Sequence, residues 1–119
     1  MIYTTHNDEP INIDGTHRQG YIDCTYHQLT RLFGAPDPDQ LNNGYKVDWE
    51  WNLTFDDGTI ATIYNWKNGP NYCGKDGLHE TQIHTWNVGG FTKQAVRNVE
   101  SIIAQPVTHK RPYLIAEEE

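Results

Sequence analysis

Residues 46–67, KVDWEWNLTFDDGTIATIYNWK, constrain the fold more than any other part of the chain. Val47, Trp49, Trp51, Leu53 and Phe55 alternate with Lys46, Asp48, Glu50, Asn52 and Thr54. A period of two sustained over ten residues is a strand with one apolar face. Asp57-Gly58 then suits a two-residue type I′ turn, in which both central residues take positive φ. With those two residues as the loop, Phe55 faces Ile60, Leu53 faces Thr62, Trp51 faces Tyr64 and Trp49 faces Trp66. Three of the four tryptophans would then share one face of a hairpin. A slip of one residue would turn an entire side-chain set to the opposite face, so the register carries most of the information about the core.

The composition decides what those rings are for. Hydrophobic residues make up 36% of the 119 residues and aromatics 12%, so a few large rings must supply much of the burial. Each buried ring removes ~150–250 Å² from water. Large unexplained apolar patches are rare on soluble proteins, so the cluster reads as core rather than as an exposed platform. Trp49 and Trp66, at the open end of the hairpin, are the two placed to line a pocket mouth.

Two helices flank this hairpin in the sequence. In CTYHQLTRLFGAP, Thr25 is an N-cap, and Tyr26, Leu29, Leu32 and Phe33 form one stripe. Gly34 and Pro36 end that helix. FTKQAVRNVESIIAQ reads as the second helix, with Phe91, Ala95, Val99, Ile102 and Ile103 inward. Ile11 and Ile13 alternate with polar residues as a short edge strand, GTHRQG reads as a loop, and DPDQLNNG as turn material. TQIHTWNVGG is a third strand, broken at Gly89-Gly90. The expected fold is α+β: an antiparallel sheet of three or four strands with two short helices packed on it. Residues 1–105 form one domain, and 106–119 read as a mobile acidic tail.

The formal charge of −7, with pI near 5.2, argues against a direct nucleic-acid binder, which displays a basic stripe. No apolar run approaches the ~18 residues of a membrane span, and the first fifteen residues lack signal-peptide character. These features point to the cytoplasm, with Cys24 and Cys73 as reduced thiols.

The ionisable residues form no recognisable catalytic set. Cys73, His79 and His84 lack the paired spacing of a zinc site, and Cys24 with His27 lacks an orienting third group. GPNYCGKDG lacks the hydroxyl and helix of a phosphate loop, and the sequon at Asn52 falls inside the strand. Asp48 and Glu50 read as one strand face, with Lys67 opposite Asp48 as an ion pair. No catalytic residue, metal or cofactor is therefore expected. The thirteen residues of the connection 68–80 are long for neighbouring strands and read as irregular, which makes this the candidate functional loop. Tyr72 and Lys75 are its expected contacts, with Trp66 at its base and Asp48 and Glu50 on the adjacent sheet face. Exchanging residues 69–78 for a Gly-Ser turn is expected to leave the fold intact.

QGYIDCTYHQLTRLFGAP, the run Asp57-Gly58-Thr59-x-Ala61-Thr62-Ile63-Tyr64-x-Trp66-Lys67, and Trp86-x-Val88-Gly89-Gly90 together resemble a family of small tailed-bacteriophage proteins. The resemblance covers about residues 15–100. It implies a phage origin and a host-cell location, not a mechanism. The helix ending in Phe33-Gly34-x-Pro36 before an antiparallel meander is also similar, in fold only, to β-lactamase-inhibitor-protein-like modules. The resulting expectation is a non-enzymatic binding protein that inhibits a host defence component, such as a CRISPR effector, through a basic partner surface. A sponge for a small nucleotide, stacking on Trp49, Trp66 or Tyr72, is the variant within that class. An enzyme built from the 68–80 loop is the competing class.

Overall fold

The computed structural model describes residues 2–105; the acidic segment 106–119 lies outside the described residues. Five strands form one antiparallel sheet: β1 (Tyr3–Thr5), β2 (His17–Asp23), β3 (Glu50–Phe55), β4 (Ile60–Tyr64) and β5 (Thr85–Gly90). Their order across the sheet is β1-β3-β4-β5-β2. Helices α1 (Tyr26–Phe33) and α4 (Gln94–Ile103) bury their apolar stripes against one face, while α2 (Pro38–Asn43) and α3 (Pro70–Cys73) sit in the connections on either side of the hairpin. The α+β architecture follows the sequence reading, with a larger sheet and more helical turns.

The hairpin register differs from the expected one by one residue. Phe55 N–H donates to Thr59 O and Gly58 N–H to Phe55 O, each at 2.9 Å, so the loop is the three residues Asp56-Asp57-Gly58. Trp51 therefore pairs with Ile63, Leu53 with Ala61 and Glu50 with Tyr64. Trp51 and Tyr64 lie on opposite faces, and Trp66 does not join Trp49 inside. The reason is local. A type I′ turn forces positive φ on Asp57 as well as Gly58, whereas the three-residue loop asks it of one residue, and Gly58 takes it at +86°. Asp57 is then free to accept from Thr59 N–H and from the Asn98 side chain.

Other boundaries moved for equally local reasons. Ile11 and Ile13 form no strand; the edges of the sheet are β1 and β2 instead. β2 shows no regular alternation because a register shift falls between Arg18 and Gly20, and a side chain at Gly20 would press on Val96 of α4. Gly89 and Gly90 continue β5 rather than end it. A Cβ on Gly90 would come 2.5 Å from that of Ala95, so glycine there lets α4 lie close against the strand. DPDQLNN is helical because Asp37 caps it and Pro38 occupies its first turn, a pairing visible in the sequence. Phe91 is exposed because α4 begins only at Gln94.

The core lies between this face of the sheet and the two helices. It contains Trp51 and Trp86, packed edge to face with ring centroids 5.5 Å apart. Each indole N–H has a partner: Trp51 donates to Gly34 O at 2.8 Å and Trp86 to Cys24 O at 3.2 Å. α1 carries a full capping box, Thr25 accepting from Gln28 N–H while the Gln28 side chain accepts from Thr25 N–H. Thr25→Ala is expected to cost about 1 kcal/mol. A urea titration of the variant should show a lower midpoint with an unchanged slope; an unmoved midpoint would mean the cap adds nothing.

Candidate functional site

The two acids expected on an open sheet face are not on the surface. Asp48 is 0% exposed and Glu50 7%. Asp48 is held in a side-chain network that begins with Asn65, whose Oδ1 accepts from both Asp48 N–H and Trp49 N–H. Those two bonds fix the orientation of the amide, so Asn65 Nδ2 donates to Asp48 Oδ1 at 2.9 Å and also to Asn68 Oδ1. Asp48 Oδ2 accepts from Asn71 N–H in the first turn of α3, and Asn71 Nδ2 donates to Gln40 O and Val47 O. Lys67, expected opposite Asp48, instead donates its backbone N–H to Lys46 O. Asp48 is thus a structural residue, and the expected contact and ion pair are both corrected by its burial.

The 68–80 connection is ordered for the same reason. Cys73 N–H donates to Gly69 O and Leu78 N–H to Asn68 O. A side chain at Gly69 would overlap Asp48 and Asn65, and one at Gly77 would overlap the backbone at Gly69. Residues 70–76 form α3 and a 3-10 turn, not an irregular loop. The segment ties the hairpin base to the chain before β3, so removing 69–78 is not neutral to the fold.

Glu50 faces the polar side of the sheet beneath the α2 segment, where its backbone O accepts from Asp37 N–H. Burial raises its pKa above the ordinary carboxylate value, reinforced by the charges of Asp37 and Asp39 and opposed by hydrogen bonds from Asn52 and Gln40. A raised carboxyl pKa favours the folded state at low pH, and that contribution is lost as pH rises through the folded-state value. Glu50→Gln is therefore expected to stabilise the protein at pH 7, with the gain shrinking as pH falls through the raised folded-state value toward the ordinary 4.5 and levelling off below it. Thermal melts of both proteins from pH 4 to pH 8 test this, and a gain independent of pH would contradict it.

Apart from Phe91, the exposed aromatic side chains among the described residues converge on the polar face and the hairpin base. Trp66 is 46% exposed, whereas Trp49 is 4% exposed and Trp51 and Trp86 are fully buried. Lys46 and Lys67 place their Nζ atoms 5.6 and 5.9 Å from the Trp66 ring centre. Lys67 also lies over Tyr72 at 5.6 Å, and Tyr72 stands 5.4 Å from Tyr45. On the other side Trp66 meets Tyr64 edge to face at 6.2 Å. Beyond it, Arg18, Tyr64, Trp66 and Asn87 line an open cleft of about 280 Å³, with Arg18 over the exposed Tyr21 ring at 5.2 Å. Tyr64 has its pKa raised by burial, with Arg18 and a hydrogen bond to Asn87 acting against that shift.

This strip holds three of the seven described lysines and arginines of an acidic chain. Among the described residues, none of the three pairs with a carboxylate; their ammonium and guanidinium groups rest on rings. Cation–π contacts at exposed sites are worth ~0.5–1 kcal/mol. Such weak holding leaves the cations available to an incoming anion. Sequence reasoning found Trp66 and Tyr72 but missed Tyr45, Lys46, Lys67, Arg18 and Tyr64. The shared signal was aromatic residues beside lysines in GYK and NWK, at either end of the hairpin.

The remaining candidates do not gather. Lys75 is exposed on the Gly74–Asp76 turn, apart from the rings that hold Lys46 and Lys67. Among the described residues no three of His, Cys, Asp and Glu form a cation-holding group, so Cys73, His79 and His84 are not assembled. Burial pushes the Cys24 thiol up to about 12, which keeps it from acting as a thiolate near neutral pH. No helix of the described residues is long and apolar enough to cross a membrane. No family model, no curated protein and no solved structure matches this chain.

Proposed function

We propose that the chain is a non-enzymatic binding protein of bacteriophage origin that acts in the host cytoplasm by occupying a host defence component. Its contact surface is the strip from Tyr45 through Trp66 to Tyr21. The observation that carries this reading is the concentration of exposed rings and free cations on one face of a small acidic domain. Tryptophan, tyrosine and arginine are the residue types that anchor binding surfaces, because rings bury large area at low entropic cost. The net charge of −7 supports the same reading, since an acidic chain is drawn faster to basic machinery such as a CRISPR effector.

The test is capture from host lysate by the tagged protein and by a Trp66→Ala/Tyr72→Ala variant. Both side chains are exposed, so the variant should keep its fold and melting temperature. It should lose the captured component. Equal recovery by both proteins would place the contact surface elsewhere.

A further inference from the structure

We propose that the strip is a nucleotide site: a base stacks on Trp66 inside the cleft, and the phosphates are taken by Lys46 and Lys67. This inference rests on the strip being the contact surface, and it names the chemical class of what the strip holds. Three features converge on it. The cleft of about 280 Å³ lies just below the ~300–1,000 Å³ of drug-sized ligand pockets, suited to a base and its sugar rather than to a large ligand. Its lining combines the Trp66 ring with the Asn87 amide, which can donate to and accept from the edge of a base, and with the Arg18 guanidinium. The two lysines rest over the same Trp66 ring, their Nζ atoms 5.6 and 5.9 Å from its centre, close to where phosphates attached to a stacked nucleoside would lie.

The exchange on binding is favourable in kind. A base stacked on the exposed indole gains a stacking contact stronger than the exposed cation–π contacts that hold the lysines. The lysine ammonium groups pair with phosphate, a charge-assisted contact. Glu50, which acts on Tyr64 from beneath, is buried and does not line the cleft. Net charge limits the ligand's size. A long single strand would bring many phosphates against a chain of charge −7, with three cations to receive them, whereas a mononucleotide needs no more than these.

Trp66 makes the test direct, because it is the exposed tryptophan and the other three are buried. Tryptophan fluorescence is titrated with ATP, GTP, CTP and UTP, then with AMP, adenosine, inorganic tripolyphosphate and a twelve-residue oligothymidylate. The expected result is saturable quenching by at least one nucleoside triphosphate, with its monophosphate at least tenfold weaker. Lys46→Gln/Lys67→Gln should weaken the triphosphate about tenfold or more and remove the difference between tri- and monophosphate. Trp66→Ala should abolish binding measured by calorimetry, where no fluorescent reporter is needed. Tripolyphosphate binding as tightly as the best nucleotide would overturn the base-stacking arm, and tighter binding of the oligothymidylate would overturn the mononucleotide. If no triphosphate binds at millimolar concentration, the nucleotide proposal falls. The Trp66→Ala/Tyr72→Ala capture experiment then decides separately: loss of the lysate component keeps the strip as a macromolecular contact surface, and its retention removes both readings.

Discussion

Replacing Asp48 with alanine is expected to lower stability by about 3 kcal/mol or more, on the scale of ~1.5–3 kcal/mol for each hydrogen bond to a charged group. The alanine would leave the buried Asn65 Nδ2 and the part-buried Asn71 N–H facing an apolar methyl. Asp48→Asn should fare little better. Both groups that face the carboxylate are donors, so an amide can satisfy one of them and must oppose its own N–H₂ to the other. Asn65 cannot turn round to help, because its Oδ1 is engaged by two backbone N–H groups. Exchanging residues 69–78 for a Gly-Ser turn removes Asn71 and should be comparably costly. Urea denaturation of the three proteins checks this, and a Gly-Ser variant with the parent's midpoint would mean that the 68–80 segment is decoration after all.

Trp51→Ala should cost about 3–5 kcal/mol, the range for emptying a large aromatic site in a core. The loss includes the edge-to-face contact with Trp86 and the indole bond that satisfies Gly34 O at the end of α1. Trp66→Ala should stay within about 0.5 kcal/mol of the parent, as exposed substitutions do. The pair of melting curves separates the two roles that the clustered tryptophans could have had. Equal losses at both positions would place Trp66 in the stabilising framework and undercut its role as a free binding surface.

What was legible in the sequence was whatever depends on neighbours in the chain. Thr25 and Gly34 bound α1 by capping chemistry that acts over a few residues, and the structure keeps those boundaries. The period-two run fixed the inward residues of β3, Trp51, Leu53 and Phe55, since alternation along one strand needs no partner. The partner strand was another matter. Asp57-Gly58 is compatible with loops of two or three residues, and the choice exchanges Tyr64 and Trp66 for Ile63 and Asn65 on the inner face. That one-residue difference turned Trp66 away from the face it was expected to share with Trp49 and onto the exposed strip.

The tertiary structure alone decided the fate of the charged residues. Asp48 and Glu50 alternate with tryptophans as solvent-facing residues do, yet both are buried by segments distant in sequence: α2 over Glu50, and Asn71 of α3 at Asp48. Burial is a property of what folds over a residue, and no local period encodes it. The same holds for the strip. Arg18 and Tyr21 on β2, Tyr64 and Trp66 at the end of β4, and Tyr45 and Tyr72 in separate connections meet because β2 pairs with β5 and the 68–80 segment folds back toward the chain before β3. Local chemistry determined which elements form and where most of them start; the pairing of distant segments determined which side chains are left for a ligand to find.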